Sequence, residues 1–504
     1  MKVNLAGFNV DTKVLRDIEA KAGKREDLTP EVISASYARI SRDPRPINEI
    51  RKDARDEVEK TRKLNSTIIF KMGHHSVAEH AVFNLDILGV SRLAMEELEK
   101  FRLCSYTEKS QRYITLDNDF ILPEEIKNSN LENLFIETIS KQNKAYFKLL
   151  EKLKLYVFAE NAELAKNPKN HNLLEGWAKE DARYITSLST EAQVGQTINA
   201  RNLELLLRRF ASHPLQEIKL LGRAIYEQVS EVAPSIIIFH EANDRDQNTF
   251  SELKKITEKI LATAAAYSPD EKSQDVRLVE YTKDGDNIIA ASILHVSSNL
   301  PYEQCLSIVK NLSEQDKKNI FKTTCKNMQF FDAMSREFEY VNLTFNIVLS
   351  SACFGQLKRH RMSTITAQPY YPGLGITIPE SIKNIGMEDY FKDIIHKTND
   401  AYNTIYKNMP LVAPYILTNA HRKRVLIRVS ARELYHISRL REDSHAQWDI
   451  RNVSSSMSQQ AKQIMPLTFS LIGAKDKYNE IYKKVYSQLP NITEAVLPGT
   501  KKIK

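Results

Sequence analysis

Cysteine is scarce and scattered: Cys104, Cys305, Cys325 and Cys353 form no C-x-x-C pair. Neither a metal site nor a disulfide framework is expected, and a reducing cytoplasm is the expected compartment. No run of about 18 apolar residues occurs, so no transmembrane helix and no membrane partner are expected. Met1-Lys2-Val3-Asn4 leads into a mixed segment without the apolar stretch of a signal peptide. A Gly-rich G-x-G-x-x-G fingerprint is missing too, which excludes the Rossmann mode of holding a dinucleotide. Formal net charge is +8, yet the signs are interspersed, as in Glu96-Glu97-Leu98-Glu99-Lys100. No continuous basic stripe forms, so a nucleic-acid partner is not expected, whereas a mild positive excess suits small anionic substrates. With 42% hydrophobic and 27% charged residues the composition is that of a soluble globular protein. Its 504 residues are natural for two domains.

What is present is repetition at a very long period. Val3-Asn4-Leu5 through Asp11-Thr12-Lys13 has a counterpart in Val276-Arg277-Leu278 through Asp284-Gly285-Asp286. Ala81, Phe83, Leu85 and Ile87 alternate with Val82, Asn84 and Asp86; Val341, Leu343, Phe345 and Ile347 alternate with Asn342, Thr344 and Asn346. A period of two predicts a half-buried strand in each case. Each strand leads into a helical stretch ending in a basic triplet, Lys100-Phe101-Arg102 or Arg359-His360-Arg361. Further on, Asn199-Ala200-Arg201-Asn202-Leu203 aligns with Ser430-Ala431-Arg432-Glu433-Leu434. In the first of these helices Leu203, Leu206, Leu207 and Phe210 form one apolar face. Both run on to similar segments, Ser212 to Ile218 and Ser444 to Ile450. The matched order is that of a duplication. Residues 1–240 read as a first domain, 241–275 as a polar linker and 276–504 as a second domain, with the boundary near residue 270. An amphipathic helix is expected near Phe250–Ala264, and the first copy carries extra helical sequence around Leu131–Leu155.

Alone, Arg359-His360-Arg361 reads as a solvated helix end whose cations complement the dipole. Ser110-Gln111-Arg112 alone reads as a polar turn, although a Ser hydroxyl beside an Arg can also grip a phosphate. The combination is more informative. Ser110-Gln111-Arg112 stands seven residues after Lys100-Phe101-Arg102, and Pro369-Tyr370-Tyr371 stands seven residues after Arg359-His360-Arg361. Each copy thus resembles one half of the motif of flavin-dependent thymidylate synthases: Arg-His-Arg, seven residues, Ser-x-Arg. Gly73-His74-His75-Ser76-Val77-Ala78-Glu79-His80 resembles that family's upstream histidine segment. Glu180-Asp181-Ala182-Arg183 and Asn199-Ala200-Arg201 resemble its middle motifs, and Leu440 to Arg451 the segment with its catalytic arginine.

The resemblance implies an α/β (α+β) fold of two tandem domains, each a central antiparallel or mixed sheet with flanking helices. It implies methylation of dUMP to dTMP with methylenetetrahydrofolate as carbon donor, FAD as cofactor and NADPH as reductant. In a family of homotetramers, two such chains would form a homodimer that is a pseudo-tetramer. One composite site follows, compatible with assembly within a chain or between chains. The first copy supplies the substrate ligands Glu108, Lys109, Ser110, Gln111, Arg112 and Arg183; the second supplies Gln356, Arg359 and the catalytic Arg441. Flavin ligands would be His74, Ser76, Asn199 and Arg201 with Arg359, His360 and Arg361. The mirror set is broken. Glu97 and Lys100 replace the glutamine and arginine, Arg208, Arg209 and Phe210 stand around the activating position with the arginine one residue short of the family's spacing, and Pro369, Tyr371 and Pro414 replace phosphate ligands. Cys104 lies in the nucleotide loop but reads as buried packing, since the family is not known for a cysteine nucleophile. The losses keep two alternatives open: a non-catalytic nucleotide- or flavin-binding homologue, and flavin-dependent methylation of another uridine substrate.

Overall fold

The computed structural model describes residues 12–23, 29–40, 43–71, 73–112, 116, 119–263 and 275–492. Residues 3–11 of the early repeated segment lie outside these. The chain divides into two compact units, one of residues 1–268 with 378–419, the other of 269–377 with 420–504.

In the first unit, β1 (Val82–Ser91), β3 (Glu191–Asn199) and β2 (Cys104–Glu108) form an antiparallel sheet in the order β1-β3-β2. The period of two is what buries one face: Phe83, Ile87 and Val90 of β1 and Ala192, Val194 and Ile198 of β3 point inward. Gly89, at φ 67°, makes a bulge between Leu88 and Val90 and accommodates one residue more than the matching strand contains. In the second unit, β4 (Val276–Tyr281), β5 (Asn342–Ser350), β7 (Arg422–Ser430) and β6 (Thr364–Ala367) form an antiparallel sheet in the order β4-β5-β7-β6. Both sheets are antiparallel throughout, and β1-β3-β2 repeats as β5-β7-β6.

The repeat extends to single hydrogen bonds. Ser91 caps the helix Arg92–Leu98 by accepting from Ala94 N, and its hydroxyl donates to Glu217 at 2.8 Å. Ser350 caps Ser351–Leu357 by accepting from Cys353 N, and its hydroxyl donates to Asp449 at 2.6 Å. A serine N-cap offsets an unpaired helical N–H in each case, and the carboxylate behind it fixes the hydroxyl.

The long helix Glu132–Glu160 buries Phe135, Ile139, Tyr146, Leu149 and Leu153. Its counterpart in the second copy, Glu388–Asn408, is eight residues shorter and packs against it within the first unit. There Gln142 Nε2 donates to Thr398 Oγ1 at 2.9 Å and to the Ile416 carbonyl at 2.8 Å. The compact units therefore depart from the copy boundary read in the sequence: residues 378–419 belong to the second copy and pack with the first. The linker holds the helix Asp244–Thr263, with Phe250, Leu253, Ile256 and Ile260 exposed and Asp246 buried.

Candidate functional site

The residues expected to form a nucleotide loop gather at one end of β2. Glu108 is the last residue of the strand, and its carboxylate is taken by the buried Arg92 guanidinium. Lys109 continues the backbone pairing through its N–H to the Gln193 carbonyl at 2.9 Å. Ser110 Oγ accepts from Arg112 N at 3.2 Å, which curls the loop so that Gln111 turns inward and is buried. Arg112 Nε lies 3.4 Å from Glu180 Oε2, and Arg183, one turn beyond Glu180, donates from Nε to the Glu180 carbonyl at 3.2 Å. One guanidinium thus faces the buried Glu180 carboxylate and the other holds its backbone carbonyl. Burial raises the Glu180 pKa despite Arg112 and Arg183, and burial lowers that of Arg183 despite Glu180. Among the described residues Arg183 Nη2 and Gln111 Nε2 are buried without a hydrogen-bond partner. Donors left so cost about 1–3 kcal/mol each, a penalty that an acceptor such as an anionic oxygen would remove.

The four flavin candidates of this copy stand at the other end of β3. His74 and Ser76 are exposed at the start of the 3-10 helix His75–His80. Arg201 is exposed and ion-paired with Glu79 of that helix, which joins the two motifs. Asn199 has a structural duty: its side chain caps the helix Ala200–Ala211 by accepting from Asn202 N at 3.0 Å.

In the second unit, Gln356, His360 and Arg441 come together. Arg441 Nε donates to His360 Nε2 at 2.9 Å, and Arg441 Nη2 to the Gln356 carbonyl at 3.1 Å. His360 is buried, and burial, then Arg441 and His436, hold its pKa well below the usual imidazole range. It is therefore neutral, with the proton on Nδ1, which lies 3.6 Å from Glu433 Oε1. The Gln356 side chain is buried and donates to Gln447 Oε1 at 3.1 Å. Arg359 and Arg361 flank His360 on the exposed side. The alternation follows from the tight turn after Ser351–Leu357, which points the middle residue inward.

The mirror positions have been filled with other interactions. Where the second copy has His360 and Arg441, the first has Phe101 and Phe210, whose rings meet edge to face at 6.1 Å. Where it has Gln356 and Arg359, the first has Glu97 and Lys100, which pair at 2.6 Å. Arg208 and Arg209 turn instead to the linker's Asp246, at 2.8 Å and 3.8 Å. Conversely, the loop position of Gln111 holds Tyr370 in the second copy. Its hydroxyl donates to Ser351 at 2.9 Å and its ring packs under Lys423 Nζ at 4.0 Å. Tyr371 is exposed, and Pro414, matched to Arg183, offers no donor. Cys104 is buried in β2.

Glu180 stands in a recognisable motif that gives it no role, and Arg92, Thr186 and Asn419 belong to no motif in the sequence. Asn419 lies in a stretch of the second copy without a motif, yet its amide contacts Gln111, Arg183 and Thr186.

The family model for the thymidylate synthase complementing protein matches the chain twice, over residues 26–235 and 277–467. A flavin-dependent thymidylate synthase of Clostridium tetani is 33% identical over 212 residues, 41% of this chain and 80% of that protein. The corresponding protein of Pyrococcus furiosus is 36% identical over 138 residues, 27% of this chain and 49% of its own length. Similarity runs across both copies in a UPF0159 protein of Chlamydia muridarum, 23% identical over 84% of this chain and 82% of that one. With both matches lying on the two repeated sheets and their flanking helices, the chain belongs to the flavin-dependent thymidylate synthase (thymidylate synthase complementing protein) family, in a tandem form.

Proposed function

We propose that the chain converts dUMP to dTMP with methylenetetrahydrofolate as carbon donor and NADPH as reductant, through one composite FAD-dependent site drawing on both copies. The observation that carries this reading is complementary retention. The first copy keeps the Arg112–Glu180–Arg183 cluster, beside which Arg183 Nη2 and Gln111 Nε2 are buried without a hydrogen-bond partner among the described residues, and the second keeps the Arg441–His360–Gln356 group. Each has apolar or internally paired residues where the other is polar. Decay without function would not leave one set whole and its mirror set filled.

In this reading Arg112, Arg183 and Ser110 hold the phosphate, with Gln111, Glu108 and Lys109 shaping the loop. Gln356 and Arg359 complete the pyrimidine end. The donor set fits a flavin dinucleotide chemically: Arg359, Arg361 and Arg201 are exposed cations suited to a diphosphate, with His74, Ser76, Asn199 and His360 as further hydrogen-bonding partners. Bound and reduced, FAD supplies the hydride. The residues of the chain bind, orient and stabilise. Arg441 is always protonated, and its plane is set by His360 and the Gln356 carbonyl. It would stabilise negative charge developing on the N3–O4 side of uracil. A neutral His360 accepts from Arg441 without competing for that charge. Two chains would form a homodimer equivalent to the family's four domains.

The test is turnover with dUMP, methylenetetrahydrofolate and NADPH, with and without added FAD. Flavin-dependent formation of dTMP is expected. A protein that binds neither flavin nor dUMP would overturn the reading.

A further inference from the structure

Residues 187 and 418 form an isolated antiparallel bridge, and around it the two copies exchange backbone hydrogen bonds: Leu188 N to the Leu417 carbonyl at 2.7 Å, and Asn419 N to the Thr186 carbonyl at 2.9 Å. Leu188 and Asn419 occupy matched positions of the two copies, so an apolar side chain in one is an amide in the other. The Asn419 side chain is buried. Its Nδ2 faces three acceptors: Thr186 Oγ1 at 3.0 Å, the Arg183 carbonyl at 3.1 Å and Gln111 Oε1 at 3.3 Å.

Orientation here is decided by chemistry. A carbonyl only accepts, so Asn419 must turn its NH2 toward Arg183. With that NH2 fixed, Gln111 must present its oxygen to Asn419. Its own NH2 then becomes the outer end of the amide, buried and without a protein partner. Gln111 sits between Ser110 and Arg112 in the loop, and Arg183 Nη2 is a second buried donor without a hydrogen-bond partner among the described residues. Both donors are therefore anchored through one side chain that belongs to the other copy.

We infer that Asn419 is a positioning residue, supplied by the second copy, that sets the amide of Gln111 and the backbone at Arg183 so that both present N–H groups to an anion. Its function in catalysis rests on the assignment of this cluster to the dUMP phosphate. A leucine at 419, as at 188, removes the donor without adding charge. An aspartate reverses the polarity and turns the Gln111 oxygen outward.

Two readouts of the full-length chain test this. The first needs no ligand: hydrogen exchange of the loop amides at 109–112. In Asn419→Leu these are expected to exchange about three- to tenfold faster, the effect of one ordinary hydrogen bond, while Glu132–Glu160 is unchanged. The second is dUMP binding and kinetics. The KM for dUMP should rise about three- to tenfold in Asn419→Leu and further in Asn419→Asp, with little change in kcat. In a Gln111→Ala background the leucine substitution should add little, which a merely structural role would not produce. Loop exchange unaltered in both Asn419 variants overturns the inference. Faster loop exchange in a protein whose wild type binds no dUMP keeps the positioning role and overturns the substrate assignment instead.

Discussion

Arg112 and Tyr371 stand at matched loop positions and make opposite predictions. Arg112 faces Glu180 in a buried cluster, whereas Tyr371 is exposed. Arg112→Ala is expected to weaken dUMP binding by about 1.5–3 kcal/mol, the scale of a charge-assisted hydrogen bond. Tyr371→Ala should leave it nearly unchanged, and titration calorimetry giving equal losses would refute the division between copies. At the other end, Arg441→Lys keeps a charge but loses the planar fork that contacts His360 and the Gln356 carbonyl together. Loss of one preorganised donor commonly lowers rate about 10²–10³-fold. Arg209→Lys, beside Asp246, should cost little. Single-turnover flavin oxidation with dUMP and folate bound separates them. The reverse pattern, with Arg209 essential and Arg441 dispensable, would place the working site in the mirror position.

Under the proposed division between copies, the helix Arg92–Leu98 is an element that persists without a site. Its Glu97 no longer matches a glutamine ligand but is held by His213 at 3.6 Å and Lys100 at 2.6 Å. Burial alone would raise its pKa; the His213 and Lys100 interactions outweigh it and lower the value to about 2. A carboxylate depressed in the folded state contributes stability above its ordinary value of 4.5, and loses it as pH falls toward about 2. Glu97→Gln should therefore flatten the acid limb of the stability curve between those values while leaving dUMP affinity intact. Denaturant melts of both proteins from pH 6 to pH 2 measure this; parallel acid limbs would show that the pairing contributes nothing. Such elements were legible from periodicity. β1, β5 and the helices after β3 and β7 follow the alternation and the 3.6-residue spacing, because burial on one face requires them.

At the scale of the molecule, the second copy's helix Glu388–Asn408 is part of the first compact unit. Residues 1–270 expressed alone would expose the face of Glu132–Glu160 that holds Gln142, and would lack Asn419. Low thermal stability or aggregation is expected, with recovery on co-expression of 271–504. A fully stable isolated first half would show that the packing is dispensable. The proposed pseudo-tetramer predicts a dimer of chains at micromolar concentration in sedimentation; an active monomer would exclude it.

The amino-acid sequence by itself determined the duplication, the strand faces, the linker helix and the division of motif residues between copies. These depend on local spacing and residue type, which the chain states directly. Only the tertiary structure decided which polar groups are satisfied. That His360 is a neutral acceptor for Arg441, that Phe101 meets Phe210, and that Asn419 reaches Gln111 across 308 positions all depend on contacts distant in sequence. Pairing of this kind has no periodicity to betray it, because a buried donor needs only an acceptor within about 3 Å, from whichever part of the chain packs beside it.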